Sequence, residues 1–291
     1  MPELPEVETI RRDLLPVLRG RAFTHVWVSP DALRLVQVPP PADFARLLSG
    51  RRIEDVSRRG KFLVFHLSGG LYLLVHLRMT GALLHRPADA PPDRYVRAML
   101  SLDDGSELRF SDLRKFGALW LVPDPSTVLG RLGPEPLEGG LTPSLLRGLT
   151  ARRRAPIKSL LLDQRALAGV GNIYADEALF AAGLHPQRPA GSLSDSEVKR
   201  LHGAIRRVLT EALADRGASF SDYVDASGQE GRHQFRVQVF RRTGQPCYVC
   251  GRDIARVKVA GRSTHFCPRC QPLEPGPRLA KRRLHREPAA S

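Results

Sequence analysis

The feature that most constrains this 291-residue chain is the placement of its only four cysteines, "CYVC" at 247–250 and "CPRC" at 267–270. In the spacing C-x2-C-x16-C-x2-C each pair can offer two thiolates from a tight knuckle. The intervening residues suffice for a β-hairpin that brings the pairs together as one tetrahedral Zn2+ site of Cys247, Cys250, Cys267 and Cys270. Two disulfides are the alternative, disfavoured in a cytoplasmic chain. Four protein ligands leave the ion no open position, so such a zinc is structural and the chemistry lies elsewhere.

Charge narrows the class of partner. Lys plus Arg number 45 against 30 Asp plus Glu, a net +15 without low-complexity character, which favours a polyanion and above all nucleic acid. Arg252, Arg256, Lys258 and Arg262 fall between the cysteine pairs, where a metal-stiffened hairpin can present them to phosphate; solvated surface is the plainer reading of any one of them. No apolar run approaches the roughly 20 residues that span a bilayer, and the acidic start is not a signal peptide. The expectation is a cytoplasmic protein without membrane association.

Between about 22 and 122, "AFTHVWV", "KFLVFHL", "LYLLVHL", "RYVRAMLSL" and "FGALWLV" read as short strands, separated by turn signals such as "SGG" (68–70) and "DDG" (103–105). They predict an antiparallel sandwich or barrel. "LGPEPLEGGLTP" (132–143) reads as a linker, followed by helices in "TPSLLRGL", "PIKSLLLDQ", "NIYADEALFAAGL" and 195–215, the last opened by a Ser194/Glu197 capping box. Residues 217–231 form an aperiodic Gly- and Ser-bearing loop, and the tail after Cys270 is Pro-rich, basic and expected to be disordered. The resulting division is 1–131, 132–231, 232–270 and the tail 271–291.

The start, "MPELPEVETIRR", has two readings. Pro5 suits a first helical turn, Glu6 and Glu8 suit its positive end, and Val7, Ile10, Leu14 and Leu18 form an apolar stripe that Pro16 kinks or shortens. That is a buried amphipathic helix, and it leaves Pro2 and Glu3 unexplained. A small second residue favours removal of Met1, which makes Pro2 a free secondary amine.

With "PELPEVE", "RRGKFL" (58–63), "HLRMTG" (76–81), "DLRKFG" (112–117), "GVGNIYADEALFAAG" (169–183) and the cysteine knuckles in this order, the chain resembles the formamidopyrimidine-DNA glycosylases, base-excision enzymes that remove oxidised purines such as 8-oxoguanine. The resemblance covers nearly all of 1–270. It implies an α+β multidomain protein: an N-terminal antiparallel β-sandwich with an N-terminal helix, a helix-two-turn-helix domain and a four-cysteine zinc-finger hairpin. Double-stranded DNA lies in the cleft between the lobes.

The same resemblance implies the roles of single residues. Pro2 is the nucleophile, Glu3 the acid–base residue, Lys61 the lysine that assists β-elimination, and Arg262 the arginine of δ-elimination. A terminal amine suits attack, because it titrates near about 7.7–8.0 against 10.4 for Lys. A base must leave the stack before it can be excised; Met79, Arg114 and Phe116 match the fillers of the resulting gap, although chemistry alone reads Met79 and Phe116 as core. Arg153, Lys158 and Asn172 match phosphate contacts, and the 217–231 loop matches the segment that covers the flipped base. Arg78, Asp93 and Tyr95 depart from the pattern. A bacterial, nucleoid-associated monomer is implied. Two other readings stand beside it: an endonuclease VIII-like enzyme for oxidised pyrimidines, against which the "PELPE" start speaks, and a zinc-containing DNA-binding protein without chemistry.

Overall fold

The computed structural model describes residues 1–273; of the tail 271–291 that the sequence suggests is disordered, Gln271 is instead buried and bonded to Leu184 O and Cys267 N, and residues from 274 onward lie outside the described residues. Helix α1 (Leu4–Leu18) buries Val7, Ile10, Leu14 and Leu18 and takes Pro16 into its last turn. It lies against the sandwich strand β3 (Ile53–Arg59) on one side and the long helix α7 (Asp195–Ala214) on the other.

The sandwich has two sheets. One orders its strands β2 (Val36–Val38), β9 (Ala118–Val122), β5 (Leu71–His76), β4 (Phe62–Leu67) and β3. The other runs β1 (Phe23–Val28), β7 (Val96–Leu102), β8 (Ser106–Asp112) and β6 (Gly81–Pro87). All pairings are antiparallel except β2 with β9, which is parallel. Phe23, Phe44, Phe65 and Phe110 fill the core. Helix α2 (Pro41–Leu48), which the Pro-rich sequence conceals, buries Phe44 and Leu48. Strand β3 is equally cryptic in "IEDVSRR", because a register irregularity between Ile53 and Asp55 breaks the alternation of apolar residues.

The chain passes through the short α3 (Ser126–Leu129) into a helical lobe of α4 (Pro143–Thr150), α5 (Ile157–Leu162), α6 (Asn172–Ala182) and α7. Gly183 closes α6 at φ +67°, and the Ser194/Glu197 box opens α7. Tyr223 and Ala226 of the 217–231 loop insert into the sandwich core, whereas Ala218 packs with the helices, so this loop straddles the lobes. Strands β10 (Ala255–Val259) and β11 (Arg262–Phe266) form the C-terminal hairpin, turning on Ala260 and Gly261, both at positive φ.

Candidate active site and nucleic-acid interface

The start of α1, the β3–β4 turn, the N-terminus of α6, the hairpin tip and the 217–231 loop enclose a cavity of about 380 Å³, lined among others by Met1, Glu3, Lys61, Met79, Asn172 and Arg262. Pro2, between Met1 and Glu3 in the chain, is buried. Residues far apart in sequence are thus gathered at one place, from the ends of regular elements and from the loops between them.

Glu3 is 2% exposed. Its carboxylate accepts hydrogen bonds from the amides of Gly171 (2.7 Å) and Ile173 (3.0 Å), at the positive end of α6. A helix N-terminus otherwise offers such amides to a phosphate; here Glu3 occupies them. Burial pushes the Glu3 carboxyl up, against the opposing charge of Lys61. Burial likewise pushes the Lys61 ammonium down, against Glu3. An acid that keeps its proton to higher pH therefore faces an amine that releases its proton at lower pH. A Cβ on Gly171 would lie 2.5 Å from Glu3 Oε1 and 2.6 Å from Lys61 Nζ, so these two heads require a glycine between them.

Sequence reasoning gave Glu6 only a dipole role. In the structure it accepts from Glu3 N (2.8 Å), from Ala218 N (2.8 Å) and from the Tyr174 hydroxyl. It joins α1, α6 and the loop behind the cavity, and no spacing in the sequence signals that.

Asn172 is the first residue of α6, with Gly171 at the cap. Its side chain lines the cavity, and its Oδ1 is buried without a hydrogen-bond partner among the described residues. Arg153 sits exposed in the α4–α5 loop, 4.0 Å from Asp163. Lys158 departs from the phosphate contact that the resemblance implies. It is 0% exposed, its Nζ lies 2.6 Å from Asp176, and it donates to Thr264 Oγ1 (2.8 Å) and Ser263 O (3.1 Å). Sealed in this way, it cannot reach a phosphate; it ties α5 and α6 to the strand that carries Arg262.

Beside the cavity runs a groove of about 990 Å³, lined by Arg34, Arg78, Arg114, Lys115 and Arg262, with Asp31 the only acid lining it among the described residues. Phe116 is 51% exposed, and the Arg114 guanidinium lies 4.6 Å from its ring centroid. Met79 lines both the cavity and the groove. Phe116 is therefore not a core residue, contrary to what its chemistry alone suggests. Arg78 takes φ +55°, a conformation that favours glycine. Asp93 bonds Ser111, and Tyr95 lies beneath the Arg94 guanidinium.

The four cysteine sulfurs lie within 4.8 Å of one another, with Cys250 and Cys267 at 3.4 Å and Cys247 and Cys270 at 3.9 Å. Thiolates about 2.3 Å from a zinc ion form a tetrahedron with edges of about 3.8 Å. The arrangement fits one structural Zn2+, and the separations are too long for disulfides.

Comparison with known proteins covers most of the chain. Residues 1–119 match the formamidopyrimidine-DNA glycosylase N-terminal domain, 132–223 the H2TH domain of the same enzymes, and 244–273 the zinc finger found in FPG and IleRS. The formamidopyrimidine-DNA glycosylase of Symbiobacterium thermophilum is 50% identical over 287 residues, 97% of this chain and 93% of that one. The crystal structure of the Fpg protein of Thermus thermophilus is 47% identical with a TM-score of 0.83, covering 94% of this chain and 100% of that one. A Lactococcus lactis FPG mutant in complex with a Fapy-dG containing DNA is 34% identical with a TM-score of 0.87, covering 93% and 100%.

Proposed function

The chain belongs to the formamidopyrimidine-DNA glycosylase family, and on that premise we propose that it excises oxidised purines from duplex DNA and then cleaves the strand at the abasic site. The observation that carries this reading is the N-terminus itself, set in a cavity between Glu3, Lys61 and Arg262.

While Met1 is present, the Pro2 nitrogen is an amide and its lone pair is delocalised. Removal of Met1 yields a secondary amine and enlarges the cavity that Met1 lines. The environment favours the reactive form, because burial pushes a terminal amine at this place down, against Glu3. The amine attacks the sugar C1′, the bond from C1′ to the base breaks, and the base leaves with a proton. This covalent adduct splits one hard displacement into easier steps, and it becomes the iminium as the C1′–O4′ bond of the sugar breaks. Glu3, whose raised pKa keeps acid available, protonates the ring oxygen as the sugar opens. Loss of a proton from C2′ expels the 3′ phosphate, and a second elimination expels the 5′ phosphate. Lys61 and Arg262 balance the phosphate charge at these steps, and water finally releases the amine.

Phe116 wedges the duplex, Met79 fills the vacated space, and Arg114 hydrogen-bonds the orphaned base. Arg153 and Asn172 meet the backbone. The zinc ion, when bound, fixes the hairpin that holds Arg262 and takes no part in bond breaking. The protein acts as a monomer on DNA in the bacterial cytoplasm.

Borohydride trapping on a duplex with 8-oxoguanine opposite cytosine, followed by peptide mapping, tests the proposal. An adduct at a terminal Pro2, absent in Pro2→Gly, is expected. An adduct at Lys61 overturns the choice of nucleophile, a preference for thymine glycol overturns the substrate class, and DNA binding by mature protein without any adduct overturns the enzyme reading.

A further inference from the structure

The three gap-filling side chains come from two loops, 77–80 and 113–117. Each loop is a place where the chain crosses from one sheet of the sandwich to the other: β5 to β6 in the first case, β8 to β9 in the second. Strand pairing sets the crossings side by side, with His76 opposite Ala118 at one end and Gly81 opposite Asp112 at the other, but leaves open how the tips of the two loops sit against one another. One buried carboxylate links them. Asp112, at the end of β8, accepts from the Thr80 hydroxyl (2.5 Å) in the first loop, and from Arg114 N (3.1 Å) and Gly117 N (2.8 Å) in the second. The Thr80 oxygen in turn accepts from Arg114 N (3.2 Å), which closes the ring of hydrogen bonds.

From this geometry we infer that Asp112 and Thr80 form a clasp that sets the register of Met79 against Arg114 and Phe116. The pair acts as a positioning device for duplex opening and for reading the base left opposite the gap. Neither residue lines the cavity. Asp112 is 1% exposed and Phe116 half exposed, so a rigid base carries an otherwise free wedge. Each loop contains a left-handed residue, Arg78 at φ +55° and Lys115 at φ +57°. Such backbones persist only where surrounding bonds hold them; the clasp brackets Lys115 through Arg114 N and Gly117 N, and Arg78 is held by its own N–H to His76 Nδ1 (3.0 Å). A second tether, from Lys115 to Asp31 (2.5 Å), lies on the exposed side of the same loop.

The inference rests on the gap-filling reading above, and its test separates the two. Thr80→Val keeps shape and removes the hydroxyl; Thr80→Ser restores it; Asp112→Asn weakens the other half. Each variant is bound to a duplex with a tetrahydrofuran site flanked by 2-aminopurine, whose fluorescence reports unstacking by the wedge. Discrimination between cytosine and adenine opposite 8-oxoguanine is measured in parallel. In Thr80→Val the expected result is a reduced fluorescence change and about a three- to tenfold loss of discrimination, the net scale of one ordinary hydrogen bond. Borohydride trapping on an abasic site in single-stranded DNA stays at the wild-type level, and Thr80→Ser recovers both duplex readouts. Wild-type fluorescence and discrimination in folded Thr80→Val and Asp112→Asn proteins overturn the clasp. If Phe116→Ala in the otherwise wild-type chain also leaves the fluorescence unchanged, the gap-filling reading fails instead.

Discussion

Gly171 shows how a single atom governs the site. Its missing Cβ makes the space that Glu3 and Lys61 share, so Gly171→Ala is expected to leave the fold intact and to lower strand cleavage by about two orders of magnitude, the scale of an ångström-level misplacement. Single-turnover kinetics beside a circular dichroism spectrum check both halves. Lys158 and Arg262 give a sharper contrast. Both were legible in the sequence as basic residues in the right motifs, but only Arg262 is exposed; Lys158 is locked to Asp176. Lys158→Met removes the buried cation paired with Asp176, leaving that carboxylate only its bonds to His265, and should cost about 3–5 kcal/mol of stability, with the salt dependence of DNA affinity unchanged. Arg262→Ala should cost little stability and lower the slope of log K against log salt by about 1. Titrations at several salt concentrations, paired with urea melts, distinguish the two.

At the scale of elements, the zinc hairpin is the part most dependent on a single interaction. Its buried apolar cluster contains only Val239, Cys247, Ile254 and Cys267, too few to hold a two-stranded ribbon by burial alone. Chelation of the metal should therefore abolish specific DNA binding while the sandwich and helices retain their cooperative unfolding; intact binding after verified zinc loss would contradict this. The hairpin was legible because ligand spacing is a local property. So were the strands with continuous apolar runs and the helices with caps. Strand β8, "SELRFSD", was not, since Arg109 is buried there by pairing with Glu107 (2.8 Å), and a charged residue in a core strand defeats any reading by polarity.

For the whole molecule, the contacts between lobes matter most. Arg58 is buried between Glu8 of α1 (3.2 Å) and Glu135 of the linker (2.6 Å), and Glu135 also accepts from Gly60 N (2.5 Å), next to Lys61. Burial alone would raise the Glu135 carboxyl, but Arg58, Gly60 and Arg59 outweigh it and hold it below its usual value. Its stabilisation is therefore full above the unfolded value of about 4.3 and is lost as pH falls through the lower folded value. Glu135→Gln should lower stability by about 3 kcal/mol at pH 7, and the gap to wild type should narrow as pH falls below about 4; urea midpoints across that range measure it. By itself the sequence determined the local chemistry: four thiolates at ligand spacing, an amine beside a carboxylate at the terminus, caps, turns and apolar runs. The tertiary structure alone decided which charges are exposed and which are sealed. It gave the α6 amides to Glu3, closed Lys158 off from solvent and joined two loops through Asp112, because burial and long-range pairing depend on residues far apart in the chain, which no local pattern records.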